Sequence, residues 1–143
     1  MERAVGAFFE AFGAAFERQN AAEISNYFAY PALAATEVDQ VMLTPILSRS
    51  EWIHQIEQLI QMYKRIDLRK ARILEISVRP FSSRLAHAVV HWALHDGSGA
   101  RLYDFDAVYT VGRFGEEWKV IGICHNELPR YWACLEARRN RPQ

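Results

Sequence analysis

An α+β fold, with helices gathered at the front and antiparallel strands at the back, follows from three features of the chain. Apolar residues recur at three- and four-residue steps from Val5 to Phe16 and again from Trp52 to about Lys64. After Asp67 the period changes to two. Turn signals, Asp96-Gly97-Ser98-Gly99 and Gly112-Arg113-Phe114-Gly115, then divide the second half.

The elements follow in order. Val5, Phe8, Phe9, Phe12, Ala15 and Phe16 share one face of a first helix, with Glu2, Arg3, Glu10, Glu17 and Arg18 largely elsewhere. Asn20, with Glu23 three positions on, marks the start of a short second helix carrying Ile24, Tyr27 and Phe28 inward and closed by Pro31. Two short strands are expected over 33–38 and 41–44, with Pro45 limiting the second. Ser48-Arg49-Ser50-Glu51 is a second capping box. It opens a third helix, to about Lys64, whose stripe is Trp52, Ile53, Ile56, Leu59, Ile60 and Tyr63. Strands are expected over 73–81, 85–95, 102–111 and 118–125. Segment 85–95 also fits a helix capped by Ser83; the adjoining hairpin signal favours a strand. Pro129 opens a short C-terminal helix holding Tyr131, Trp132 and Leu135, and residues 138–143 are expected to fray.

Composition removes several classes of function. At 143 residues, without linker, low-complexity tract or repeat, residues 1–143 are expected to form a single domain. Half the residues are hydrophobic (50%) and 24% are charged, which excludes a disordered chain. Seventeen basic and 17 acidic residues cancel, so no net field draws the protein to nucleic acid or an anionic membrane. No apolar run reaches the roughly 18 residues of a membrane span. Glu10 interrupts the stretch behind the start, against a signal peptide. The two cysteines, Cys124 and Cys134, have no metal or redox spacing, which fits a reducing compartment and a cytoplasmic location. With no phosphate loop, nucleophile elbow or zinc motif, neither a cofactor nor a metal is expected.

Three segments resemble the nuclear transport factor 2-like (NTF2-like) superfamily, which includes ketosteroid isomerases, polyketide cyclases and scytalone dehydratase. Residues 8–28 (FFEAFGAAFERQNAAEISNYF) resemble its two-helix opening, and residues 50–63 occupy its third-helix position. Tyr103-Asp104-Phe105-Asp106-Ala107-Val108-Tyr109, followed by Glu117-Trp118-Lys119-Val120-Ile121, resembles its closing hairpin. The resemblance spans roughly Val5 to Glu127. It implies a cystatin-like cone, a curved antiparallel sheet wrapped around the N-terminal helices. It also implies a pocket between the concave face and the helices, and a homodimer through the outer sheet face. These patterns carry a fold rather than an activity.

Alternation sorts the strand residues into faces. Ala86, Ala88, Val90, Trp92 and Leu94 form one face; Leu85, His87, Val89, His91, Ala93 and His95 form the other. Histidines four apart on a strand are separated by about 13 Å, too far to share one metal ion. That face is expected to be half-solvated or dimer-facing. On the next strand Leu102, Asp104, Asp106, Val108 and Thr110 oppose Tyr103, Phe105, Ala107, Tyr109 and Val111, an apolar face fit for a core or a dimer interface. Ile121, Ile123, His125 and Glu127 share a face.

Asp106 is similar in position to the aspartic acid that ketosteroid isomerases keep protonated. The resemblance therefore implies an Asp106–His125 pair inside the cavity, with His125 as base or acid and Asp106 as its orienter or an oxyanion donor. The alternative is a structural contact, or Asp106 bonded to an arginine. Glu37 falls near the family's base, whereas Phe12 stands at the oxyanion tyrosine and lacks a hydroxyl, against steroid isomerisation. Tyr27, Tyr30, Trp92 and Asp104 are the candidate substrate contacts. Two functions fit these residues. One is a pocket for a small hydrophobic molecule, with isomerase, cyclase or dehydratase chemistry by acid–base catalysis. The other is a non-catalytic module whose sheet face, bearing Tyr103, Phe105, Tyr109 and His91, forms a homodimer or docks a partner.

Overall fold

The computed structural model describes residues 1–140. The elements run α1 (Glu2–Glu17), α2 (Ala21–Ser25), β1 (Phe28–Glu37), β2 (Val41–Ile46), α3 (Arg49–Arg65), β3 (Leu68–Pro80), β4 (Leu85–Asp96), β5 (Arg101–Phe114), β6 (Glu117–His125) and α4 (Glu127–Arg139). The strands make one curved, unclosed six-stranded sheet in the order β2-β1-β6-β5-β4-β3. Neighbours are antiparallel except β1 and β6, which pair in parallel through Ala34 with Ile123 and Thr36 with His125. That pairing joins the first strand to the last, beyond the reach of any local turn signal.

Both expected caps form. Asn20 Oδ1 accepts the Glu23 backbone N–H at 3.0 Å, and Ser48 Oγ accepts that of Glu51 at 3.3 Å. Segment 85–95 is the strand, not the helix, and its hairpin turn is held by buried Asp96. One oxygen of Asp96 accepts the Ser98 backbone N–H and hydroxyl and the Ala100 N–H. These bonds, the Ser98 hydroxyl foremost, hold the Asp96 carboxyl at about 2.

Several boundaries differ from expectation. β1 starts at Phe28 and runs past Pro31, which lies in an irregular stretch of its pairing with β6, where a missing N–H leaves no ladder bond open. β2 includes Pro45 because it is an edge strand. β3 starts at Leu68; it is the other edge, and its exposed Arg69 and Lys70 obscure the alternation. In α4, Tyr131 and Leu135 are buried but Trp132 is half exposed. Arg138 and Arg139 belong to the helix rather than a frayed end, while residues 141–143 lie outside the described residues.

The core lies between the concave sheet face and the helices. Phe9 is fully buried, its ring centroid 4.6 Å from that of Tyr109. A side chain on Gly13 would begin 2.9 Å from the Trp92 ring, so this glycine lets α1 lie close on the sheet. The inward residues are Ala86, Ala88, Val90, Trp92 and Leu94 of β4 with Tyr103, Phe105, Ala107, Tyr109 and Val111 of β5, all buried. The apolar β5 face is therefore core. The expected docking face of Tyr103, Phe105 and Tyr109 does not exist as a surface, and His91 lies on the opposite side of the sheet. No helix among the described residues is long and apolar enough to cross a membrane.

Candidate functional site

A cavity of about 110 Å³ lies between α1, α3 and the concave sheet face. Phe12 and Phe16 of α1, Trp52 and Leu59 of α3, and Trp92, Phe105 and Ile123 of the sheet make its walls apolar.

Glu127, the first residue of α4, brings a carboxyl group into this lining and is only 7% exposed. Its place follows from local chemistry. β6 ends at His125, and Pro129 falls in the first helical turn, where a missing N–H is harmless. The positive end of the helix favours an acidic residue there. Tyr63 of α3 donates its hydroxyl to both carboxyl oxygens, at 2.8 and 2.7 Å, and Tyr103 of β5 donates to one of them at 2.6 Å. Burial pushes the Glu127 carboxyl up, and the two tyrosine hydroxyls pull it back. Burial and the neighbouring Glu127 charge raise both tyrosines, so they remain donors.

His125 lines the same cavity. Its Nδ1 accepts the Glu127 backbone N–H at 3.2 Å, and burial holds the ring below the usual histidine value. The imidazole is thus neutral at neutral pH, with its proton on Nε2. Trp92 Nε1–H donates to the Tyr109 hydroxyl at 2.9 Å; the hydroxyl's own proton has no acceptor among the described residues.

The sequence model of the NTF2-like protein family (DUF6841) matches residues 2–127. The chain belongs to this family. Solved structures agree on the fold of this NTF2-like protein. A protein of unknown function with a cystatin-like fold from Nostoc punctiforme superposes with a TM-score of 0.71, 9% identity and coverage of 87% of this chain and 89% of its own. An NTF2-like protein with a cystatin-like fold from Novosphingobium aromaticivorans gives 0.68 at 13% identity, covering 89% and 81%. A provisionally assigned scytalone dehydratase from the same species gives 0.61 at 13% identity, covering 87% and 81%. At these identities the likeness is one of fold. No curated protein matches the chain significantly.

Of the expected site residues, the NTF2-like cone brings only His125 and Trp92 to the cavity. The Asp106–His125 pair does not form. His125 is in register with Ala107, so its neighbour Asp106 faces the other way, its side chain 64% exposed on the convex side. There Asp106 accepts from His91 Nδ1 at 2.7 Å, and Asp104, expected against substrate, accepts from Nε2 at 2.6 Å. With a carboxylate at each nitrogen, His91 is raised, Asp106 contributing most. Glu37 is exposed at the end of β1, opposite Val41 and away from the cavity lining. Tyr30 donates its hydroxyl to the Ser25 carbonyl at 2.8 Å. Tyr27 packs on Phe8 and Phe12 and lines a separate surface depression with Trp118. Glu127, Tyr63 and Tyr103 were not among the expected site residues. The one signal for them is a carboxylate that continues the apolar Ile121-Ile123-His125 face.

Proposed function

We propose that this NTF2-like protein binds a small, neutral, hydrophobic molecule in its cone and moves a proton on it, as an isomerase, cyclase or dehydratase does. The observation that carries this reading is a buried carboxyl group, held by two tyrosine hydroxyls, in the wall of a mostly apolar cavity. Burial raises the Glu127 carboxyl above the ordinary glutamate value, which makes it a stronger base than an exposed carboxylate. Glu127 takes a proton from an acidic carbon of the ligand and delivers it to another atom of the same molecule. The Tyr109 O–H and His125 Nε2–H are the donors for an oxygen that gains charge meanwhile. The volume is near that of engineered apolar cavities of about 150 Å³ that admit benzene, so a single ring suits it.

Cyclohexanone in deuterated buffer tests this. Ligand-observed NMR is expected to show binding, with exchange of its α-protons faster than in buffer alone. Absence of both binding and acceleration sinks the proposal.

A homodimer through the outer sheet face is a second reading, favoured by Val89 and Val108. They are register partners on the convex side, 41% and 40% exposed. Sedimentation is expected to give twice the chain mass, falling to a monomer in Val108→Glu; a monomeric wild type ends this reading.

A further inference from the structure

The convex face of the sheet carries an uncharged band with opposite charges on its two sides. Leu43, Ala35, Cys124, Val108, Val89 and Ser77 are register partners in one row across all six strands. Each is exposed or half-buried, and exposed Leu33 adjoins the row. Two residues along the strands in one direction stand Arg79 and His87, again register partners. Two residues along in the other stand Glu75, His91 and Asp106, with Asp104 beyond and Glu37 on β1. Arg72, on the same side of β3, is bonded to Glu17 of α1.

His91 sits within the acidic flank. Its Nδ1 lies 2.7 Å from an Asp106 oxygen and its Nε2 2.6 Å from an Asp104 oxygen. A neutral imidazole has a single N–H, so this arrangement calls for both protons and a cationic ring. The hydrogen bond to Asp106 foremost holds the ring above the usual histidine value. The charges of the face are also self-complementary. A second copy laid face to face, about a two-fold axis along the row, places valine on valine. It also places Arg79 of each copy over Glu75 of the other.

We infer that a second copy of this chain docks on the convex face and stays there while His91 keeps both protons. The inference rests on the homodimer reading above and adds its control. Docking removes water from the flanks, and the carboxylates of Glu75, Asp104 and Asp106 then need their cation. Docking therefore favours the protonated ring. The dimer is complete below the His91 value and is lost as pH rises through it. His87, which faces the acidic flank of the other copy, titrates in the same sense and is separated by its own variant.

Sedimentation at pH 6 and pH 9 tests this. The dissociation constant of the wild-type dimer is expected to be at least about tenfold larger at pH 9. His91→Gln is expected to lose most of this dependence, and His87→Gln to keep most of it. His91→Arg, cationic throughout, is expected to remain dimeric at pH 9. The His91 ring resonances of the wild type need no variant: their titration midpoint is expected to rise with protein concentration as the dimer fills. A dissociation constant unchanged from pH 6 to pH 9, a His91→Gln dimer with the wild-type dependence, or a midpoint independent of concentration overturns the inference and leaves the homodimer standing. A wild type that is monomeric at both values overturns both.

Discussion

Glu127→Gln is expected to lower proton exchange on cyclohexanone by a factor of about 10²–10⁴ and to leave its binding within about threefold. Glutamine keeps the length of the side chain and an oxygen for the Tyr63 and Tyr103 hydroxyls, which now meet the carboxyl at 2.6 to 2.8 Å. It removes the basic site. The stability of the two proteins should also diverge with pH, in a fixed direction. Well below pH 4.5, the ordinary glutamate value, folded and unfolded chains both carry the Glu127 proton. As pH rises the unfolded chain ionises first, because burial has raised the folded group. The wild type therefore loses stability as pH climbs through the folded value, and the glutamine variant does not. His125 acts in the opposite sense. Its folded value is lowered, so its contribution is complete above about 6.5 and is lost as pH falls through the folded value. Both proteins contain it, so it largely cancels from their difference. Urea midpoints from pH 4 to pH 8 should thus shift in favour of Glu127→Gln. A variant that exchanges protons as fast as wild type removes Glu127 from the chemistry.

Removing both hydroxyls, Tyr63→Phe with Tyr103→Phe, is expected to destabilise the fold by about 2–5 kcal/mol at pH 8 and by about 1–2 kcal/mol at pH 4. A hydrogen bond to a charged group contributes about 1.5–3 kcal/mol, one between neutral groups about 0.5–1.5 kcal/mol. The two losses should not add fully, because Tyr63 spans both oxygens and shares one with Tyr103. The pH dependence has the same root. Without its donors the buried carboxylate is harder to form, the folded value rises further, and the double variant loses more stability than wild type as pH increases. Equal losses at pH 4 and pH 8 would show that Glu127 stays protonated throughout in the folded protein.

Much of the fold was legible because its signals are local. The Asn20 and Ser48 caps, the α3 stripe and the Asp96 turn each need only neighbours within a few residues, and all form. Alternation correctly grouped Trp92 with Ala88 and Val90, and Tyr103 with Phe105 and Tyr109. It could not say which β5 face turns inward. That was decided when Phe9 and Phe12 of α1 packed on Tyr109, which placed Tyr103 beside the cavity and sent Asp104 and Asp106 to the convex side. The Asp106 expectation failed at this step, since a strand residue has two faces to choose from and a family position alone does not choose.

By itself, then, the chain determined which segments are helices, where α2 and α3 are capped, which residues share a face, and membership of the NTF2-like fold. The candidate site was decided by tertiary structure. Tyr63 comes from α3, Tyr103 from β5 and Glu127 from α4, far apart in the chain, and none is unusual in its own segment. A buried carboxyl is tolerated only where donors converge on it, and convergence is a property of packed elements rather than of neighbouring residues.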